Sequence, residues 1–173
     1  PYEVVVRREA HGSYLKRALH LMKGHIFPQL VLEFFLKTNN KRWKDHALIC
    51  DDPFMIRDGE RGVINLYDPK QPDLAQDPAK PFLVLQEGEV FNRRPEEETY
   101  LLKEMDIIAR RVFLILEKAW QLQGRKLVDF KVEFGRSKQQ ALLLADVIDN
   151  DSWRVVENGA YIDKQAYRDG GTL

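Results

Sequence analysis

The sequence predicts an α+β domain, a mixed or antiparallel sheet with packed helices, its main helix running over 96–123. Three patterns predict it: β-branched and aromatic runs in the first forty residues, one long amphipathic period after Pro95, and two apolar runs at 126–134 and 141–147 split by a short polar loop.

The elements follow in chain order. Residues 2–8, Tyr-Glu-Val-Val-Val-Arg-Arg, form a strand with a basic end, and the chain turns through His11-Gly12-Ser13. Residues 30–36, Leu-Val-Leu-Glu-Phe-Phe-Leu, read as a second strand or a buried helical turn, and Lys37–Asp45 as loop. Six of the eight prolines fall between Pro53 and Pro95, which excludes a long helix there and leaves an ordered or partly mobile excursion with short strands near 62–67 and 82–86. From Pro95, three glutamates fill a first turn. Leu101, Met105, Ile108, Val112, Ile115 and Ala119 then recur at spacings of four and three, which makes a helix ending near Gly124. The hairpin 126–147 completes the sheet.

Composition narrows the function. With 27 Lys plus Arg against 27 Asp plus Glu the chain is neutral, so it is no polyelectrolyte binder of nucleic acid or anionic membrane, and any anion is held locally. One cysteine, Cys50, excludes an internal disulfide and a thiolate zinc cage, and makes a reduced, cytoplasmic setting the expectation. The four histidines lack zinc spacing, and there is neither a GxxxxGK[ST] nor a GxGxxG loop.

The chemistry-bearing residues cluster at the two ends of the chain. Strand alternation puts Asp129, Lys131 and Glu133 on one face of the 126–134 strand. Leu142-Leu143-Leu144-Ala145 is too apolar for a strand with a wet face, which predicts a sheet covered on both sides and charges that need partners. Asp146, Asp149 and Asp151 follow directly. Carboxylates converging with Glu133 would need a cation, and hard oxygen donors favour magnesium; the alternative is an Asx turn, which suits Asp149 and Asn150 better than Asp146. Arg7, Lys16, Arg17, Arg154, Lys164 and Arg168 are the cations suited to an anion, with Gly12-Ser13 a small cradle beside them.

Glu3-Val-Val-Val-Arg7 followed by Gly12-Ser13 and Lys16-Arg17, then Glu33-Phe-Phe-Leu-Lys37, LVDFKVEFG at 127–135, LADVIDNDSWR at 144–154 and DKQAYR at 163–168 together resemble the phosphoribosylaminoimidazole-succinocarboxamide synthases, or SAICAR synthetases. The later blocks are closest to the form fused to a carboxylase in bifunctional purine enzymes. The resemblance implies an ATP-grasp-like fold and an ATP- and Mg2+-dependent C–N ligase. Such enzymes join the carboxylate of CAIR to the amine of L-aspartate by way of an acyl phosphate. It further implies that Arg7, Ser13, Arg154 and Arg168 bind substrate phosphate or carboxylate. Glu133 and Asp146 would hold the metal and meet ATP, and Lys131 would face the nucleotide or reacting carboxylate, oriented by Asp129.

The family pattern also starts with a nucleotide-binding lobe, which the resemblance places in the same parent chain upstream of Pro1, while 53–95 is an atypical insertion in a lobe spanning 1–173. A lobe without its neighbour exposes apolar surface, hence an expected homo-oligomer. The rival expectation is an inactive module that binds a protein partner through 53–95.

Overall fold

The computed structural model describes residues 1–48, 51–69, 83–88, 90–91 and 94–164. Its main sheet has nine strands, and every pairing in it is antiparallel, so the parallel component of a mixed sheet is absent among the described residues. The strands are β1 (Tyr2–Glu9), β2 (Ile26–Leu36), β5 (Phe54–Arg57), β6 (Ile64–Asp68), β7 (Leu83–Gln86), β8 (Lys126–Arg136), β9 (Leu142–Ala145), β10 (Trp153–Glu157) and β11 (Ala160–Tyr161). Their order is β11-β10-β8-β1-β2-β5-β6-β7, with β9 on the outer part of β8. The loop expected over Lys37–Asp45 contains half of a small separate ladder, β3 (Arg42–Trp43) against β4 (His46–Ala47).

The α-helix given in full among the described residues is α1 (Pro95–Gln121), with Pro at its first turn and Glu96, Glu97 and Glu98 at its positive end. It covers one face of the sheet. Leu101, Met105, Ala109 and Phe113, spaced by four, meet Val4 and Val6 of β1 and Phe130, Val132 and Phe134 of β8. The expected four-three stripe holds from Leu101 through Met105 and Ile108 to Val112 and fails at Ile115, which is 69% exposed, because a row at i+4 slants across the helix and the buried row lies along the twisted sheet.

Beyond Pro53 the described part of the excursion holds three strands. β5, which the proline-rich composition hid, pairs with β2 through Phe34↔Met55 and Phe35↔Phe54, and carries β6 and β7 outward. Residues 70–82 lie outside the described residues.

The opposite face is not covered as expected. Leu143 and Leu144 are 49% and 44% exposed, and only Leu142 of that run packs on the core. The centre of this face is closed locally by the 3-10 turn Gly12–Lys16, whose Tyr14 packs edge-on to Phe27 and lies over the guanidiniums of Arg7 and Arg17.

Candidate functional site

Register builds the site. β8 and β1 pair Glu3↔Glu133, Val5↔Lys131 and Arg7↔Asp129, while β2 sets Phe35 against Glu3 and Glu33 against Val5. Directly opposed residues share a face, so Glu3, Arg7, Glu33, Asp129, Lys131 and Glu133 all stand on the face away from α1. Arg154 joins them opposite Asp129 on β10. A register shift between Arg154 and Val155 re-aims the strand there, and the displaced Val155 amide donates to the buried Asp163 carboxylate.

The buried centre is a chain of alternating charge. Arg7 donates from Nε to Glu33 Oε2 at 2.7 Å and from Nη1 to Asp129 Oδ2 at 2.9 Å. Arg17 donates to the other oxygen of Glu33 and to Asp51. Arg154 Nη1 donates to the same Asp129 Oδ2 at 2.5 Å. Burial alone would push Glu33 towards its neutral form, but Arg7 and Arg17 overcome it and hold the carboxyl below its ordinary range. The same balance favours the charged Arg7: burial opposes it, and Glu33 and Asp129 outweigh the burial.

Above this chain lies an open cavity of about 320 Å³ whose lining includes Arg7, Ser13, Asp129, Lys131, Arg154 and Lys164. Gly12 stands at its edge with φ +56°. A Cβ there would come within 2.7 Å of Arg154 Cζ, so the bare glycine is what lets the guanidinium lie against the turn.

A second group surrounds two lysines. Lys131 Nζ lies 3.6 Å from Glu3 and 3.7 Å from both Glu133 and Asp146. Lys37 Nζ lies 3.3 Å from Glu3 and Glu133 and 3.5 Å from Asp52; burial opposes its charge, the three acids prevail, and its pKa is raised. Glu133 and Asp146 therefore balance one ammonium together. That is donor chemistry suited to magnesium shared with phosphate oxygens and water, although among the described residues no group of three or more His, Cys, Asp or Glu closes on an ion.

Several expectations change in detail. Arg7 is committed to two carboxylates rather than turned to an open anion, and Asp129 is engaged by Arg7 and Arg154, not by Lys131. Asp146 makes the short local bond of an acidic turn, accepting from the Val147 amide at 2.8 Å, while Asp149 accepts from the Asp151 amide. Asn150 instead accepts from the Trp153 indole. Arg168 and Cys50 lie outside the described residues. Glu33, which joins Arg7 to Arg17, is a functional residue that motif reading alone does not single out; a lone acid inside Leu-Val-Leu-Glu-Phe-Phe-Leu is the sequence signal that marks it. Lys37 carries no comparable signal.

The family model described as SAICAR synthetase matches residues 88–172. A phosphoribosylaminoimidazole-succinocarboxamide synthase of Roseiflexus sp. (strain RS-1) is 36% identical over 97% of this chain and 53% of its own length. A bifunctional purine synthesis protein of Dictyostelium discoideum is 37% identical over 97% of this chain and 14% of its own. Among solved structures, SAICAR synthetase from Pyrococcus horikoshii OT3 superposes with a TM-score of 0.59 at 28% identity, covering 100% of this chain and 59% of that one. A SAICAR synthetase in complex with ADP gives 0.58 at 26%, covering 100% and 57%. The chain spans about half the length of the single-function relatives it matches. In sequence and in fold, the chain is similar to the SAICAR synthetases over about half of their length.

Proposed function

We propose that this chain supplies the ribonucleotide-holding part of an ATP- and Mg2+-dependent ligase that joins L-aspartate to the carboxylate of CAIR in purine biosynthesis, in a cytoplasmic setting. The observation that carries the reading is the convergence of Ser13, Arg154 and Lys131, from three separated family motifs, on one cavity above the Arg7–Asp129 pair.

Each residue has a chemical task in this reading. Arg154, with part of its fork exposed, and the Ser13 hydroxyl bind the substrate phosphate, and Arg168 approaches the same group. Arg7 acts one step back, bonding the Asp129 carboxylate that in turn fixes the Arg154 plane. Lys131 steadies negative charge as the carboxylate is activated. Glu133 and Asp146 hold magnesium, which when bound offsets the charge of the nucleotide phosphates. ATP is the phosphoryl source; the relative crystallised with ADP supports nucleotide use. The exposed Leu143, Leu144 and Val147 then face a nucleotide lobe of the same parent chain.

Calorimetric titration with CAIR and with Mg-ATP tests the reading, on this chain and on one lengthened to the span of its relatives. Weak binding by the first and tight binding with aspartate-dependent turnover by the second support it. Binding by neither favours a non-catalytic module. The homo-oligomer expected for this lobe is checked by sedimentation of the same two chains.

A further inference from the structure

A buried polar relay stands behind the 3-10 turn, outside the residues given a role so far. His11 is 4% exposed and Glu9 2%. His11 Nε2 lies 3.1 Å from Glu9 Oε2, and Nδ1 lies 2.5 Å from the Tyr161 hydroxyl. Glu9 Oε1 is 2.7 Å from Lys126 Nζ, and the Lys23 ammonium sits 4.6 Å from the Tyr161 ring centroid.

The donors in this relay can be assigned. A carboxylate only accepts, so Nε2 carries a proton towards Glu9. Burial lowers the His11 pKa, which leaves the ring neutral and Nδ1 bare, so the tyrosine hydroxyl donates to it. The Tyr161 oxygen is then left to accept from Lys23. Lys126 stands beside Glu9 Oε1 as a charge partner, without a hydrogen bond to that oxygen. The chain of groups runs Lys23, Tyr161, His11, Glu9, Lys126.

Its central pair, His11 and Tyr161, sits on elements that carry the anion pocket. His11 immediately precedes Gly12 and Ser13, and its side chain makes no cap to the turn it begins. Tyr161 belongs to β11, which pairs with β10 through Val156↔Tyr161, and β10 carries Arg154. Gly12 lies against the Arg154 guanidinium. The His11–Tyr161 bond thus ties the Ser13 turn to the strand pair that carries Arg154, from behind, where no ligand reaches.

We infer that His11, through Tyr161, is a positioning residue that sets the spacing between the Ser13 turn and the Arg154 guanidinium, and so the affinity of the pocket for a phosphate monoester. The inference rests on the reading of Ser13 and Arg154 as the phosphate site. It is separable from that reading because neither His11 nor Tyr161 touches the ligand.

The test titrates inorganic phosphate and ribose 5-phosphate into the chain, following the Ser13 amide and the Arg154 Nε–H by NMR, with melting midpoints recorded in parallel. The variants are Tyr161→Phe, His11→Ala, His11→Gln and His11→Asn. An Asn side chain offers an oxygen near the place of Nδ1 and keeps the Tyr161 bond, whereas Gln reaches towards Glu9 and loses it. Roughly tenfold weaker binding in Tyr161→Phe, His11→Ala and His11→Gln, with His11→Asn within about twofold of the parent, is the expected result. In the parent, imidazole nitrogen shifts should show a protonated Nε2 and an accepting Nδ1. Equal affinity in all five proteins overturns the inference and leaves the pocket standing. Affinity that merely follows the melting midpoint, with no rescue by Asn, reduces His11 to a structural role and also overturns it. Failure of the parent to bind either probe at Ser13 and Arg154 overturns the pocket reading, and the inference with it.

Discussion

A single oxygen of Asp129 accepts hydrogen bonds from both Arg154, at 2.5 Å, and Arg7, at 2.9 Å. Arg7 is also bound by Glu33, and Glu33 by Arg17, so the part-buried Arg154 guanidinium at the cavity is fixed by a chain of charges reaching into the protein. Rigidity at the cavity is thus inherited from buried pairs, which are costly to break one side at a time.

The first prediction tests that inheritance. Glu33→Gln removes the charge that serves both Arg7 and Arg17, and should cost about 3–5 kcal/mol in urea unfolding. Asp51→Asn removes the outer, partly exposed partner of Arg17 and should cost under about 1 kcal/mol. Equal losses would mean that the chain of charges is not the organising element.

Gly12 supplies a second. Gly12→Ala places an L side chain at φ +56° and drives a methyl group into the Arg154 guanidinium. The backbone term alone is about 1–2 kcal/mol of stability. The displaced arginine should in addition weaken phosphate binding by about tenfold, measured in the same titration. Gly24→Ala, at φ +83° with nothing near its Cβ, carries the first penalty and should leave binding unchanged.

Acid should unfold the protein in two stages. His11, faced by Glu9, Tyr161, Asp129, Lys23 and Lys126, has its pKa lowered from 6.5, chiefly by burial. As pH falls below about 6.5 the unfolded chain takes up a proton that folded His11 resists, so stability falls until the folded value is passed. Glu33 is depressed below 4.5, so its contribution is present above that pH and is lost as pH falls further. Melting midpoints from pH 8 to 4 should show both stages, and His11→Asn should remove only the upper one.

Much of this was legible in the sequence, and what was not has physical reasons. α1 and β8 announce themselves by period, because each buries one face on a core, and β1 by its β-branched run. β5 does not: four residues after Pro53 are too few for an alternation to show, and pairing with β2 through Phe34↔Met55 decides it. Alternation on β8 placed Asp129, Lys131 and Glu133 on one face correctly. It could not say which cation each acid would meet, since Arg7 and Lys37 arrive from 122 and 96 residues away and Arg154 beside a register shift. The leucines of β9 misled because apolar content predicts a cover without saying that the described residues supply it.

Lys131 allows a test that separates chemistry from folding. With Lys131→Met, Glu133 and Asp146 lose the ammonium 3.7 Å from each, while Lys37 still balances Glu133. The groups are partly exposed, so stability should change by less than about 1 kcal/mol. Ligation by the chain at the length of its relatives should fall by a factor of about 100 or more. A variant that turns over at the parental rate would remove Lys131 from the reaction.

The account stands most directly on where CAIR binds. In a nitrogen-edited titration of the full-span chain with CAIR, the Arg154 Nε–H and the Ser13 amide should move first and furthest, and both responses should vanish in Arg154→Lys with the fold intact. Shifts confined to the groove between Ile26, Leu114 and Leu127 on the helix side, with Arg154 and Ser13 unmoved, would contradict it.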